Sequence, residues 1–156
     1  MIVAGTGHRP NKLGGYSKRV FTKLTHFAIE QLGQIEGVER VISGMALGWD
    51  MALAIGAIDR RIPLTCALPF KGQETRWAAD YQDLYRKILE QADEVVVVSE
   101  GEYEPYKMFA RDKWMVDRCD LLLALYNGTP GGTDRTISYA LEVGKPIRNV
   151  ARYWSP

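Results

Sequence analysis

Two cysteines, Cys66 and Cys119, and two histidines, His8 and His26, are all that the 156 residues contain of either type. The histidines are not paired at ligand spacing and the cysteines lie too far apart in sequence for a zinc knuckle, so no protein metal site is expected. Both cysteines sit in apolar, strand-like surroundings and read as buried reduced thiols, which suits a cytoplasmic protein; whether they meet in a disulfide is a matter of geometry. No apolar run approaches bilayer-spanning length, and Met1 leads straight into Ile2-Val3-Ala4, too short for a signal peptide. Net charge is only +1, so no global basic field argues for nucleic acid or an anionic membrane, and any anion binding must come from local placement. Repeats, low-complexity tracts and linkers are missing too. Hydrophobic content of 46% and charged content of 25% are ordinary for a globular protein of one domain, residues 1–156.

Strand and helix patterns alternate from end to end. Strands are predicted over 2–4, 40–43, 63–68, 94–98, 120–125 and 146–150, and helices over 16–32, 47–60, 79–91, 108–118 and 133–143. Such alternation predicts an α/β, Rossmann-like fold: a mostly parallel sheet with helices on both faces. Ligands in such sheets bind beyond the carboxyl ends of the strands, so loops that follow strands carry the functional candidates.

The most informative feature straddles the predicted fifth strand. Ahead of it a helix carries Met108, Arg111 and Lys113; after it Pro130-Gly131-Gly132-Thr133 opens the next helix, with Thr136 one turn on. A glycine turn at a helix N-terminus presents N–H groups to an anion, and an arginine supplies a planar, permanently charged fork. Arg135 opposes the helix dipole unless an anion sits there.

Three other loops contribute candidates. Gly5-Thr6-Gly7-His8-Arg9-Pro10 lets the backbone approach a ligand, with His8 and Arg9 suited to an anion or ribose. It lacks the third glycine of the dinucleotide fingerprint, and a tight turn with a capping histidine is the competing reading. In Ser43-Gly44-Met45-Ala46-Leu47-Gly48-Trp49-Asp50, Ser43, Gly44 and Gly48 are ligand-binding candidates. Asp50 either complements a helical turn or faces the crevice as ribose ligand or general base. In Pro69-Phe70-Lys71-Gly72-Gln73-Glu74-Thr75-Arg76-Trp77, Phe70 or Trp77 can stack on a base and Glu74 can accept hydrogen bonds, against an exposed loop anchored by Trp77. The tyrosine-bearing stretch 100–107 suits a lid or a solvated connector, and Arg152-Tyr153-Trp154 a tail tied to the surface or to a partner subunit.

Together, Thr6-Gly7-His8-Arg9-Pro10, Leu13-Gly14-Gly15-Tyr16, the Ser43 to Asp50 stretch, Pro69-Phe70 with Gln73-Glu74, and Gly131-Gly132-Thr133 resemble the YpsA-like family of the SLOG (Smf/DprA–LOG) superfamily. The resemblance spans nearly the whole chain. It implies a Rossmann-like fold, a pocket for nucleotides or nucleotide-derived ligands, and a homo-oligomer. Ser43-Gly44-x-Ala46-x-Gly48-x-Asp50 is similar to a stretch of the DNA-binding DprA proteins, but no run of basic and aromatic residues tracks a strand, so nucleic acid is not the expected partner. Met108, Arg111, Asp120 and Pro130-Gly131-Gly132 resemble the pattern of the LOG phosphoribohydrolases, after an insertion over 126–129. The glutamate of that pattern is Ser138 here, with Glu142 one turn further on; a serine cannot stabilise an oxocarbenium ion, so phosphate binding carries over more readily than cleavage.

Three functions stay open on the sequence. The first is binding of a nucleotide or related phosphorylated small molecule, to sense or sequester it, with or without a divalent metal on the ligand. The second is hydrolysis of N-glycosidic bonds in a nucleoside monophosphate, with Asp50 or Glu74 as the carboxylate. The third is an interaction module with a vestigial pocket.

Overall fold

In the computed structural model, which describes residues 1–156, six strands alternate with five α-helices: β1 (Ile2–Gly7), α1 (Lys18–Gly33), β2 (Arg40–Ser43), α2 (Trp49–Asp59), β3 (Leu64–Leu68), α3 (Ala79–Gln91), β4 (Glu94–Val97), α4 (Pro105–Arg118), β5 (Leu121–Leu125), α5 (Gly132–Glu142) and β6 (Ile147–Asn149). The sheet runs β4-β3-β2-β1-β5-β6, and every neighbouring pair is parallel. Parallel order follows from the sequence pattern: the strands are short and mostly apolar, and each of the first five is followed by a helix long enough to carry the chain back.

Successive strand residues point to opposite faces. Val3, Val41, Cys66 and Leu123 join α1, α2 and α3 in the larger core, while Ala4, Ile42, Ala67 and Leu122 join Met115, Val116 and Ala140 of α4 and α5 in the smaller one. Cys66 and Cys119 lie in different cores and are free thiols, and burial pushes Cys66 up to about 12. The C-terminal tail is tied to this chain's own surface, with Trp154 half-buried on Phe27 and ring centroids 5.4 Å apart.

Two boundaries differ from the sequence reading for physical reasons. β1 continues through Gly7 because its glycine turn pairs with β5, Thr6 against Ala124 and Gly7 against Leu125. α4 starts at Pro105, since proline needs no N–H partner in the first helical turn. The strand order reverses between β1 and β5, which places the topological switch, and the ligand-prone crevice, beyond Gly7 and Leu125.

Gly7 holds that geometry by having no side chain. A Cβ there would meet Trp49 Cδ1 at 2.4 Å, and one on Gly5 would meet Leu53 Cδ2 at 2.4 Å. The α2 N-terminus therefore sits hard against β1, with Trp49 fully buried and its Nε1 donating to the Leu123 carbonyl at 3.2 Å. Gly7→Ala should cost about 1–3 kcal/mol through overpacking, read as a lower urea midpoint at unchanged m-value; an unshifted midpoint would show that Trp49 yields freely.

Candidate functional site

A cavity of about 300 Å³ opens at the switch point. Its walls are Thr6, Gly7, His8 and Arg9 after β1, Asn11 and Lys12 of the following 3₁₀ turn, Ala46 and Asp50 at the start of α2, Met108, Arg111 and Asp112 of α4, and Gly131, Gly132 and Thr133 at the start of α5. The two halves of the leading sequence feature, the arginine helix and the glycine turn, thus face one space. Gly131, with φ 145, is the α5 N-cap and gives no side-chain cap; the N–H groups of Gly132 and Thr133 have no acceptor within the protein. Those amides and the helix dipole make the α5 end of the cavity electropositive.

Lys12 adds a cation at the same end. Its Nζ donates to Thr129 Oγ1 and the Pro130 carbonyl, both at 2.8 Å, and so braces the glycine turn. The 126–129 insertion is itself ordered by short-range bonds: Asn127 Oδ1 accepts from the Thr129 hydroxyl and N–H. His8 Nε2 accepts the Asn127 N–H at 3.0 Å. Burial, with Lys12 nearby, lowers the His8 pKa despite an opposing Asn127 contact, so the buried imidazole is neutral and joins the loops after β1 and β5.

Arg111 is not the free fork that the sequence suggested. It is 3% exposed; its Nε donates to Asp112 Oδ1 at 2.7 Å and its Nη1 to the Gly44 and Ala67 carbonyls at 2.5 and 3.3 Å, leaving Nη2 without a protein partner. Asp112 Oδ2 accepts from Thr136 Oγ1 at 3.0 Å, so this carboxylate ties α4 to α5. Asp50, 7% exposed, lies across the same guanidinium. Burial, the dominant cause, pushes it up to about 6; Arg111 opposes this, Asp112 reinforces it, and the Ala46 N–H at 3.3 Å opposes it weakly. One cavity therefore holds a carboxylate partnered by Arg111 and Thr136 and a second that burial pushes up to about 6.

Several candidates from the sequence are placed elsewhere. Ser43 is fully buried, donating to the Asp50 carbonyl at 2.7 Å and accepting the Met45 N–H, so it shapes the β2–α2 loop. Gly44 lies over Arg111: a Cβ there would stand 2.8 Å from its Cζ and from Asp50 Oδ2. Gly48, at φ 95, passes the His8 carbonyl where a Cβ would come within 2.6 Å. Gly5 packs on Leu53, and Thr136 serves Asp112 and the Gly132 carbonyl. Phe70 lines a neighbouring cavity, and Glu74 lines neither. Arg135 turns aside over the Phe109 ring. Asp120 accepts the Ile2 N–H at 2.7 Å at the opposite end of the sheet, Ser138 and Glu142 are exposed, and none of the three lines either cavity. Lys12 and Asp112 were missed. Pro10, which fits the first position of a 3₁₀ turn, was the available signal for Lys12; Asp112, next to Arg111 in sequence, gave none.

No group of three or more His, Cys, Asp or Glu side chains is placed to hold a metal ion, and no helix is long and apolar enough to cross a membrane.

Comparison with known proteins bears on this geometry. The profile of the YspA SLOG family matches residues 3–145. YoqJ, an SPbeta prophage-derived protein of Bacillus subtilis, is 34% identical over 128 residues, covering 72% of this chain and 75% of its own. Among solved structures, DNA processing protein A of Helicobacter pylori, described with its single-stranded DNA binding mode, superposes at TM-score 0.64 and 16% identity over 94% of this chain. The chain spans 63% of that protein and about half of its Streptococcus pneumoniae counterpart. The molybdenum cofactor binding protein of Rippkaea orientalis superposes at TM-score 0.58 and 20% identity, over 94% of this chain and 73% of that one. Identities this low carry the fold and nothing finer.

Two outcomes follow from the buried charges. Arg111→Ala should destabilise the fold by about 2–4 kcal/mol in denaturant unfolding, because it strands the Gly44 carbonyl and Asp112; an unchanged midpoint would make the guanidinium dispensable to the rim. Asp50 holds its proton more tightly folded than unfolded, so stability is greatest below its unfolded value near 4 and falls as pH rises to about 6. That loss is on the order of 3 kcal/mol. Asp50→Asn should flatten this part of the pH–stability curve, and an unaltered slope would refute the buried titration.

Proposed function

This chain belongs to the YspA SLOG family, and from that membership and the rim's geometry we propose that it binds a nucleotide or nucleotide-derived phosphorylated small molecule, with the phosphate seated on the α5 N-terminus. The observation that carries the reading is the convergence in one cavity of unpartnered α5 amides with Arg9, Lys12 and the remaining Nη2 of Arg111. Arg111 acts chiefly as a fixed positive charge behind the seat, Arg9 supplies a further donor, and Lys12, held on Thr129 and Pro130, keeps one N–H for the phosphate. Thr6, Gly7, His8 and Asp50 line the wall where a ribose would rest. The role we assign to such binding is sensing or sequestering the ligand. Two free buried thiols suit the cytoplasm, and the apolar edge of β4, where Val95 and Val97 are exposed, suits a homo-oligomer.

A second reading is favoured by one observation. Asp50, pushed up to about 6 by burial in a cavity it shares with Asp112, is placed as a general acid or base would be. In hydrolysis of a nucleoside monophosphate, water would add to the anomeric carbon, the C–N bond would break, and the base would leave with the bonding pair and a proton. Glu74 lines neither cavity, which leaves Asp50 and Asp112 as the carboxylates for such a step.

Calorimetry with 5′-mononucleotides and their nucleosides tests the first reading. The phosphate should contribute most of the affinity, and Lys12→Ala should weaken a mononucleotide by about 1.5–3 kcal/mol, the range for a charge-assisted bond. Equal affinity for nucleoside and nucleotide would remove the phosphate seat. Release of free base and ribose 5-phosphate, lost in Asp50→Asn, would establish the hydrolase; intact nucleotide recovered from the purified protein without turnover would exclude it.

A further inference from the structure

A second cavity of about 630 Å³ opens on the same rim, lined by the loops after β3 and β4. It shares Arg9 and Met108 with the first, so the two spaces adjoin across those two side chains. Their chemistry differs. The first is almost wholly polar; the second is walled by Phe70, Trp77 and Tyr103, with Lys71 and Arg76 among them.

The aromatic wall is built rather than incidental. Phe70 is buried and meets Tyr103 edge-on, with ring centroids 5.7 Å apart, and Tyr103 itself is 62% exposed. Tyr103 stands on a loop held by a buried cation: Lys107, 3% exposed, donates from Nζ to the Glu100 and Glu102 carbonyls, each at 2.5 Å. Trp77 is fixed from behind by Tyr85 at 5.2 Å. An exposed aromatic face held in place by a buried ammonium suits stacking on a planar base, which contributes to affinity whatever the base.

The geometry points to a ligand with two nucleoside-like halves joined through a pyrophosphate: one phosphate on the α5 amides, the linkage beside Arg9, and the distal base against Phe70 and Tyr103. This rests on the phosphate seat proposed above. A step of single-stranded DNA has related chemistry, but it needs a basic and aromatic track that continues past two nucleotides, and the chain carries a net charge of only +1.

The test compares, by calorimetry on the intact chain, the symmetric dinucleoside pyrophosphates of adenine and guanine with 5′-AMP and 5′-GMP. At least one pyrophosphate should bind about tenfold or more tightly than its own mononucleotide. Tyr103→Ala, at an exposed position that should leave the circular dichroism spectrum unchanged, should bring that ratio close to one. Mononucleotides that bind as tightly as the pyrophosphates would overturn the two-cavity ligand and leave the phosphate seat standing. Failure of all four to bind would overturn both. Retention of the full ratio in Tyr103→Ala would overturn the aromatic subsite. Oligothymidylate that binds more tightly than any of them, with affinity growing with length, would overturn the small ligand in favour of a strand.

Discussion

A buried guanidinium organises this rim. Arg111 comes from α4, the helix that precedes the switch strand, and it reaches across the sheet ends to carbonyls of the β2–α2 loop and of β3. A charge so far from water is tolerated only where its donors are matched, and here the matching groups belong to three separate elements. The arrangement fixes the β2–α2 loop over the guanidinium, which in turn demands glycine at position 44. It also draws Asp112 into place, and through Thr136 it sets where α5 begins relative to α4. The unpartnered amides of α5 owe their position to this network as much as to their own glycine turn.

The same network works against stability at one point. Asp50 is buried deeply enough to resist ionisation even though a guanidinium lies beside it. A chain selected for stability alone would place an asparagine or a small apolar residue there. Locating a titrating carboxyl in a polar cavity, with its cost spread over loops tied by Ser43 and Ala46, is the kind of local conflict that marks functional sites.

The fold was readable because its signals were redundant. Short apolar strands alternate with helices, amphipathic except for α2, which is buried on nearly all sides, and the order of elements alone requires a parallel sheet covered on both faces. The first cavity was readable only in part, because polar residues in a loop carry no sign of where they point. His8, Arg9, Asp50, Arg111 and Gly131 to Thr133 were recognisable from loops that follow strands, and all line that cavity. Ser43, Gly44 and Gly48 belong to the same loops, yet they serve close packing beneath it. A glycine that lets a helix approach a strand looks the same in sequence as one that lets a phosphate approach the backbone; Gly7 meets Trp49 as well as lining the cavity. Pro10 marked the turn that carries Lys12, but nothing local showed that its ammonium reaches Thr129 and Pro130, which are distant in sequence. Arg111 stood out in the sequence and lines the cavity, but its Nε and Nη1 are committed to Asp112 and to the Gly44 and Ala67 carbonyls, and only the three-dimensional arrangement shows that.

The placement of carboxylates decides how this cavity can treat an anion. A glutamate at position 138 would put negative charge on the helix that also offers the amides. Here position 138 is an exposed serine, and the first-turn Asp134 is engaged by the Tyr126 hydroxyl. The cavity's carboxylates come instead from α2 and α4. Asp112 is compensated by Arg111 and Thr136, so it adds little repulsion. Asp50 can accept a proton near neutral pH, and an anion entering the cavity raises its proton affinity further. Under the proposed function, a phosphate on the α5 amides would therefore be thermodynamically linked to protonation of Asp50, each favouring the other, so that a site holding two carboxylates could bind a dianion without adding a guanidinium. A protonated Asp50 is also a hydrogen-bond donor, which an ionised carboxylate is not, so occupancy of the cavity changes what its wall can offer to a sugar hydroxyl or to a leaving base.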